Sequence, residues 1–182
     1  MVAEKSEWIY RNNTTDTARY ILGERSENMV ACIGINPSTA RPNALDNTLR
    51  SVKRIAQFNG FDGWVMYNLY PQRATYPNQL HKKINQTFQS KNENSIIQSI
   101  QELGIDTIWL AYGDLIETRD YLPDCLLRLY AYLKPLDLHW KILGDSTQKG
   151  HPKHPLYKPT RSPFIDFDME KYITERLKPL TF

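Results

Sequence analysis

Four side chains in this sequence are best suited to act on a bound organic molecule: Asn36, Asn68, His151 and His154. Asn36 stands in the turn Gly34-Ile35-Asn36-Pro37-Ser38, followed by Thr39. Its amide offers an acceptor and a donor at a fixed place, and Ser38 and Thr39 add hydroxyls that bind phosphate or cap a helix. Asn68 opens Asn68-Leu69-Tyr70-Pro71-Gln72-Arg73. An Asn held on rigid backbone pairs with the edge of a nucleobase, and Arg73 suits a bidentate contact with phosphate or carboxylate. Gly113-Asp114 permits close backbone approach, and Asp114 is a candidate substrate contact, base or helix cap. The segment Gly144-Asp145-Ser146-Thr147 leads into His151-Pro152-Lys153-His154-Pro155, where prolines restrict the backbone. Thr147 and Lys153 are candidate substrate contacts there. Either histidine suits an acid, a base or a donor to a developing oxyanion, and the choice between them stays open. Each of these residues also has an ordinary use in a turn, a cap or a surface ion pair.

Each turn follows an apolar run, and the runs read as strands. Residues 29–35 are almost continuously apolar, as a strand buried on both faces requires. Residues 64–70, 107–112 and 140–143 read as three more. Between them lie predicted helices over 47–59, 92–103 and 121–134, and a last helix over about 168–178. Asp46 caps the first and Gly60 ends it, with Leu49, Val52, Ala56 and Phe58 as its apolar side. The expected core stripe of the third is Leu122, Cys125, Leu126, Leu129 and Leu133. Residues 6–11 and 17–22 predict an edge hairpin, and residues 71–86 a long basic loop with room for one helical turn. Alternating strands and helices predict a three-layer α/β/α fold with a central, mostly parallel four-stranded sheet plus the N-terminal hairpin. Residues 1–182 are expected to form one domain. Open sheets of this kind bind ligands at the carboxyl ends of their strands, so the four turns are expected along one cleft.

Charge narrows the ligand. Residues 63–92 hold Arg73, Lys82, Lys83 and Lys91 without one acid, and residues 146–165 hold Lys149, Lys153, Lys158 and Arg161 without one acid. Cations thus gather around two of the four turns, which favours an anionic partner, nucleic acid or a nucleotide; a nucleoside is the uncharged alternative. Several chemistries are absent from the pattern. There is no P-loop, GxGxxG, Gly-x-Ser-x-Gly or HExxH motif. Cys32 and Cys125 are the only cysteines and form no CxxC pair, and the two histidines have no evident Asp, Glu or Cys partner for zinc. We expect no metal and no cofactor. Met1 to Tyr10 shows no apolar h-region, and no apolar stretch approaches the ~20 residues of a membrane helix. A cytoplasmic protein that does not enter a membrane is the expectation, with its oligomeric state open.

Four motifs carry a family resemblance: Ile35-Asn36-Pro37-Ser38-Thr39-Ala40, Asp46-Asn47-Thr48-Leu49-Arg50, Asn68 to Thr75, and Leu143 to Thr147 continuing to His154-Pro155-Leu156-Tyr157. Over about residues 18–160 the chain resembles the bacterial and phage family called domain of unknown function 1643. The order of the motifs is also distantly similar to the uracil-DNA glycosylase superfamily, several members of which carry Gly-Ile-Asn-Pro after the first core strand. That similarity implies a glycosylase-like fold, with Asn36 positioning the attacking water, Asn68 recognising the base, and His154 or His151 stabilising the departing base. The expected function is therefore nucleobase or nucleotide binding, extending to hydrolysis of an N-glycosidic bond in nucleic acid or a nucleoside. The alternatives are a non-catalytic nucleic-acid-binding module and an enzyme acting on a small phosphorylated metabolite.

Overall fold

The computed structural model describes residues 7–177. Residue 6 of the expected first strand and residue 178 of the expected last helix lie outside that range. In chain order the elements are β1 (Glu7–Asn12), β2 (Arg19–Arg25), β3 (Met29–Gly34), α1 (Asn47–Phe58), β4 (Gly63–Asn68), α2 (Gln86–Glu102), β5 (Thr107–Leu110), α3 (Tyr121–Leu133), β6 (His139–Leu143), β7 (Phe164–Asp166) and α4 (Met169–Glu175). Short 3-10 turns occupy Pro77–Gln79, Gly113–Glu117 and Lys134–Leu136.

One sheet of seven strands runs in the order β1-β2-β4-β3-β5-β6-β7. Its centre is the expected parallel set, β4, β3, β5 and β6. The sheet is wider than four strands for two reasons. The β1–β2 hairpin continues it, because β2 pairs antiparallel with β4. At the other edge β7 pairs antiparallel with β6, with Leu143 opposite Phe164. This three-residue strand follows Pro163 in a polar, proline-rich stretch and has too few residues to show alternation.

The alternation of β3 explains the layers. All six residues of β3 are buried. Val30 and Cys32 join one apolar cluster with Leu49, Val52, Ile55 and Ala56 of α1. Ala31 and Ile33 join the opposite cluster with residues of α2, α3 and α4, among them Ile96, Leu126 and Tyr172. Period-two alternation in a strand thus serves two helical layers. Both cysteines are buried and free. The stripe expected on α3 is the buried one, residue for residue. On α1, Ile55 is buried while Phe58, expected on the apolar side, is 47% exposed in the last turn.

Helix α2 starts six residues before the expected position. Asn85 caps it by accepting from Phe88 N, and its early turns bury Gln89, Asn92 and Glu93 instead of aliphatic groups. Those polar groups are used inside the fold. Gln89 Nε2 donates to Glu93 at 3.1 Å, Glu93 pairs with Arg128 of α3 at 2.8 Å, and Asn92 Nδ2 donates to the Asn68 carbonyl at 2.8 Å. A buried face made of amides carries no hydrophobic signal. Among the described residues no helix is long and apolar enough to cross a membrane.

Candidate functional site

From β3 the chain passes to β4 on one side and afterwards reaches β5 on the other, so the connections diverge beside β3. Ligands of open α/β sheets sit at such a point, beyond the carboxyl ends of the strands. A cavity of about 440 Å³ lies there. It is lined by the ends of β3 and β4 (Gly34, Ile35, Asn36, Met66, Asn68), the start of α1 (Asp46 to Leu49), Leu115 after β5, and His154 and Leu156 after β6. Ser38 and Arg19 also line it.

Asn68 is the last residue of β4 and lies beside Gly34, the last residue of β3. The side chain is 1% exposed, and neither Oδ1 nor Nδ2 has a hydrogen-bond partner among the described residues. Its backbone is held from behind by Asn92. Gly34 makes the space, because a Cβ there would come within 3.0 Å of Asn68 Oδ1 and 2.6 Å of the Met66 methyl. The amide sits in the space that the missing Gly34 side chain leaves, and Asn68 lines the cavity.

Asn36 lies two residues beyond β3. Its Nδ2 donates to the carbonyls of Ala74 at 2.8 Å and Pro37 at 3.0 Å. A further bond, Ala74 N to the Pro37 carbonyl at 2.9 Å, joins the same two loops. With its donors engaged, the amide has a fixed orientation. Its Oδ1 accepts from no described residue and is available to a ligand or water.

His154 is seated by the turn at Gly113. This residue has φ +61°, a conformation that glycine adopts without strain, and its N–H donates to the Pro152 carbonyl at 2.9 Å. A Cβ at Gly113 would lie 3.3 Å from His154 Cβ. His154 Nδ1 accepts from Leu156 N at 3.2 Å, so the proton of the neutral ring sits on Nε2. Burial pushes its pKa below the usual histidine value, with Asp46 acting to raise it and Lys158 to lower it. The ring is thus a neutral N–H donor at physiological pH. The shift also links His154 to stability. The unfolded chain takes up a proton near pH 6.5, before the folded one does, so this contribution is present above that pH and is lost as pH falls through the depressed folded value. Native stability is expected to fall on acidification below about pH 6.5, and His154→Gln is expected to flatten that slope, measured by denaturant unfolding across the range.

The expected site residues divide in two. Asn36, Ser38, Asn68 and His154 line one cavity, whereas Thr39, Arg73, Asp114, Thr147, His151 and Lys153 do not line it. Arg73 is occupied. It bonds Asp16 Oδ1 at 3.0 Å, the Ser38 carbonyl at 2.6 Å and the Tyr10 hydroxyl at 2.6 Å, tying the Asn36 loop to the β1–β2 hairpin. His151 is 3% exposed, with Nδ1 2.8 Å from the Tyr172 hydroxyl and Nε2 2.8 Å from Glu117. Asp114 accepts from Thr147 Oγ1 at 2.6 Å, which pins the loop before His151. Thr39 is exposed, and Lys153 makes no hydrogen bond or ion pair among the described residues.

Arg19 went unrecognised in the sequence. It opens the apolar strand Arg19-Tyr20-Ile21-Leu22, where an arginine reads as an edge or rim residue. In the fold it is 2% exposed and lines the cavity. Burial, followed by the nearby Arg73 charge, pushes its pKa down to about 10, so the guanidinium remains charged. Asp46 was legible only as a cap, which it is, accepting from Leu49 N at 2.9 Å. No cluster of three His, Cys, Asp or Glu suited to a metal occurs among the described residues.

The motifs at this rim coincide with a family match. The model of the family described as protein of unknown function (DUF1643) matches residues 19–156, from the buried Arg19 to Leu156 at the cavity wall. The chain belongs to the DUF1643 family. No curated protein matches it. Every residue that lines the cavity falls inside the DUF1643 match, and the edge strands β1 and β7 fall outside it.

Proposed function

We propose that the cavity binds a nucleobase against Asn68 and hydrolyses the N-glycosidic bond that attaches the base to its sugar. The observation that carries this reading is the Asn68 side chain, buried with both amide atoms unpartnered at the wall of a cavity. Leaving a buried polar group unmade costs about 1–3 kcal/mol. A ligand edge with an acceptor beside a donor satisfies both atoms at once, and nucleobases carry such edges. A volume of about 440 Å³ falls within the range of small-molecule sites. Met66, Leu115, Leu156 and Pro77 provide apolar walls.

The chemistry follows from the two remaining groups. The C–N bond breaks with its electron pair moving to the base, and the sugar carbon becomes electron-poor. Water bound to Asn36 Oδ1 attacks that carbon. The neutral His154 donates its Nε2–H hydrogen bond to the base oxygen where negative charge grows. The proton lost by the water ends on the released base or in solvent. The distant similarity to uracil-DNA glycosylases supports the same roles, and we extend the proposal to a glycosylase-like fold. A base inside a duplex would have to be flipped out to reach the cavity.

The test is a base-release screen with the full chain. Substrates are oligonucleotides containing uracil, hypoxanthine or mismatched bases, and the free nucleosides. Chromatography of the free base and strand scission at abasic sites are the readouts. Release from at least one substrate is expected. Saturable binding without release from any of them overturns the hydrolytic half of the proposal.

A further inference from the structure

Arg19 contrasts with its neighbour Arg73. Arg73 has an ion-pair partner in Asp16 and hydrogen bonds from all three of its nitrogens. Arg19 is the more deeply buried, yet among the described residues its side chain makes one hydrogen bond, from NH1 to the Ala40 carbonyl at 3.0 Å. It forms no ion pair there, and its Nε has no partner. A guanidinium has five N–H donors, and taking it out of water without a carboxylate is costly. Carboxylates bear on it only from a distance: Asp46 and Asp16 favour its charge, while Arg73 opposes it.

Other groups line the same cavity. The N-terminus of α1, a helix of 12 residues, opens into it at Asn47 and Thr48. Of the first amides of α1, the Asp46 side chain caps that of Leu49. Free amides at a helix start attract anions. The Ser38 and Thr48 hydroxyls make no hydrogen bond among the described residues and lie along the same lining. Asp46 places one negative charge beside them, so the site suits an anion that accepts several directed hydrogen bonds.

We infer that Arg19, with the start of α1, forms an anion subsite for the phosphate of a nucleotide whose base meets Asn68. This rests on the proposed base-binding role of the cavity. It changes the ligand class from a free base or nucleoside to a nucleotide, either free or within a single strand. Arg19 is the group that separates phosphorylated from unphosphorylated ligands.

The experiment is calorimetric titration of the full chain with matched probes. Deoxyuridine, deoxyinosine, deoxyadenosine and deoxyguanosine are each compared with their 5′-monophosphates. The corresponding dinucleotides, which carry the phosphate as a diester, and inorganic phosphate alone complete the set. At least one 5′-monophosphate or dinucleotide is expected to bind about tenfold or more tightly than its nucleoside, the size of a charge-assisted contact. Preference for the monophosphate assigns the source as a free nucleotide, and preference for the diester assigns it as a strand. In Arg19→Met the gain is expected to vanish while nucleoside affinity is kept. Arg19→Lys, which keeps a charge but not the Nε donor, is expected to retain only part of the gain and serves as the reading if the Met variant does not fold. A phosphate gain unchanged in these variants overturns the inference, as does equal binding of nucleoside and nucleotide by the native chain. In the second case, nucleoside binding leaves the Asn68 reading standing. Binding of inorganic phosphate that depends on Arg19, with no discrimination among bases, upholds the anion subsite and removes the base pocket. No binding of any probe overturns both.

Discussion

Asn36→Ala is expected to lower kcat for base release by about 10²-fold or more while KM stays within about threefold. The reason is the division of labour within one amide. Nδ2 is spent on the Ala74 and Pro37 carbonyls, which fixes the plane of the group. Oδ1 has no described partner in a residue that lines the cavity, and in the proposed reaction a water held there is oriented for attack before the bond breaks. Misplacing that water raises the barrier without weakening substrate binding, so the loss appears in kcat. The same substitution also removes two hydrogen bonds, one within the β3 loop to Pro37 and one joining it to the β4 loop at Ala74, at roughly 0.5–1.5 kcal/mol each. If Asn36 were only a loop tie, its loss would let Asn68 and Ser38 drift, and KM would rise along with the fall in kcat. Parallel changes in both constants, or full activity in the alanine variant, would remove Asn36 from the role of water-positioning residue.

That Asn36, Asn68 and His154 share a cavity was legible from the chain, because each follows an apolar run and parallel strands deliver their carboxyl ends to one rim. What the sequence concealed was the partner of each polar group. Arg73 and Arg19 illustrate this. Both are arginines beside short apolar segments, and the basic surroundings of Arg73 made it the natural anion contact. In the fold Arg73 turns inward to Asp16, fifty-seven positions earlier, while Arg19 is left with one neutral acceptor. Such pairings are set by which loops stack on which, and no local pattern encodes them. His151 and His154 differ in the same way. They are three residues apart in one proline-framed turn, but Glu117 and Tyr172 claim both nitrogens of His151. The early start of α2 was hidden by its buried amide face, and β7 by its length of three residues. Periodicity detects apolar burial and is blind to polar burial.

Asn68→Leu is expected to make the ligand-free protein more stable and to abolish base binding. Leucine has nearly the shape of asparagine and brings no polar atom to the site. Two buried, unpartnered atoms disappear, and the methyl groups occupy the space above Gly34 that the amide now fills. A gain of about 1–2 kcal/mol in unfolding free energy follows, or a rise of roughly 2–8 °C in Tm for a chain of this size. Binding of a base is expected to fall by about 10²-fold or more, because a ligand edge of donor and acceptor would then face hydrocarbon. The opposite signs of the two effects make the test sharp. A residue kept for folding loses stability when its polar atoms are removed, whereas a residue kept for a ligand gains stability and loses the ligand. Thermal unfolding of the leucine variant without ligand reads the first effect, and titration with the best substrate from the base-release screen reads the second. A leucine variant that unfolds more readily than the native chain would mean that the amide already has its partners within the protein. The proposed base pocket would then have no floor.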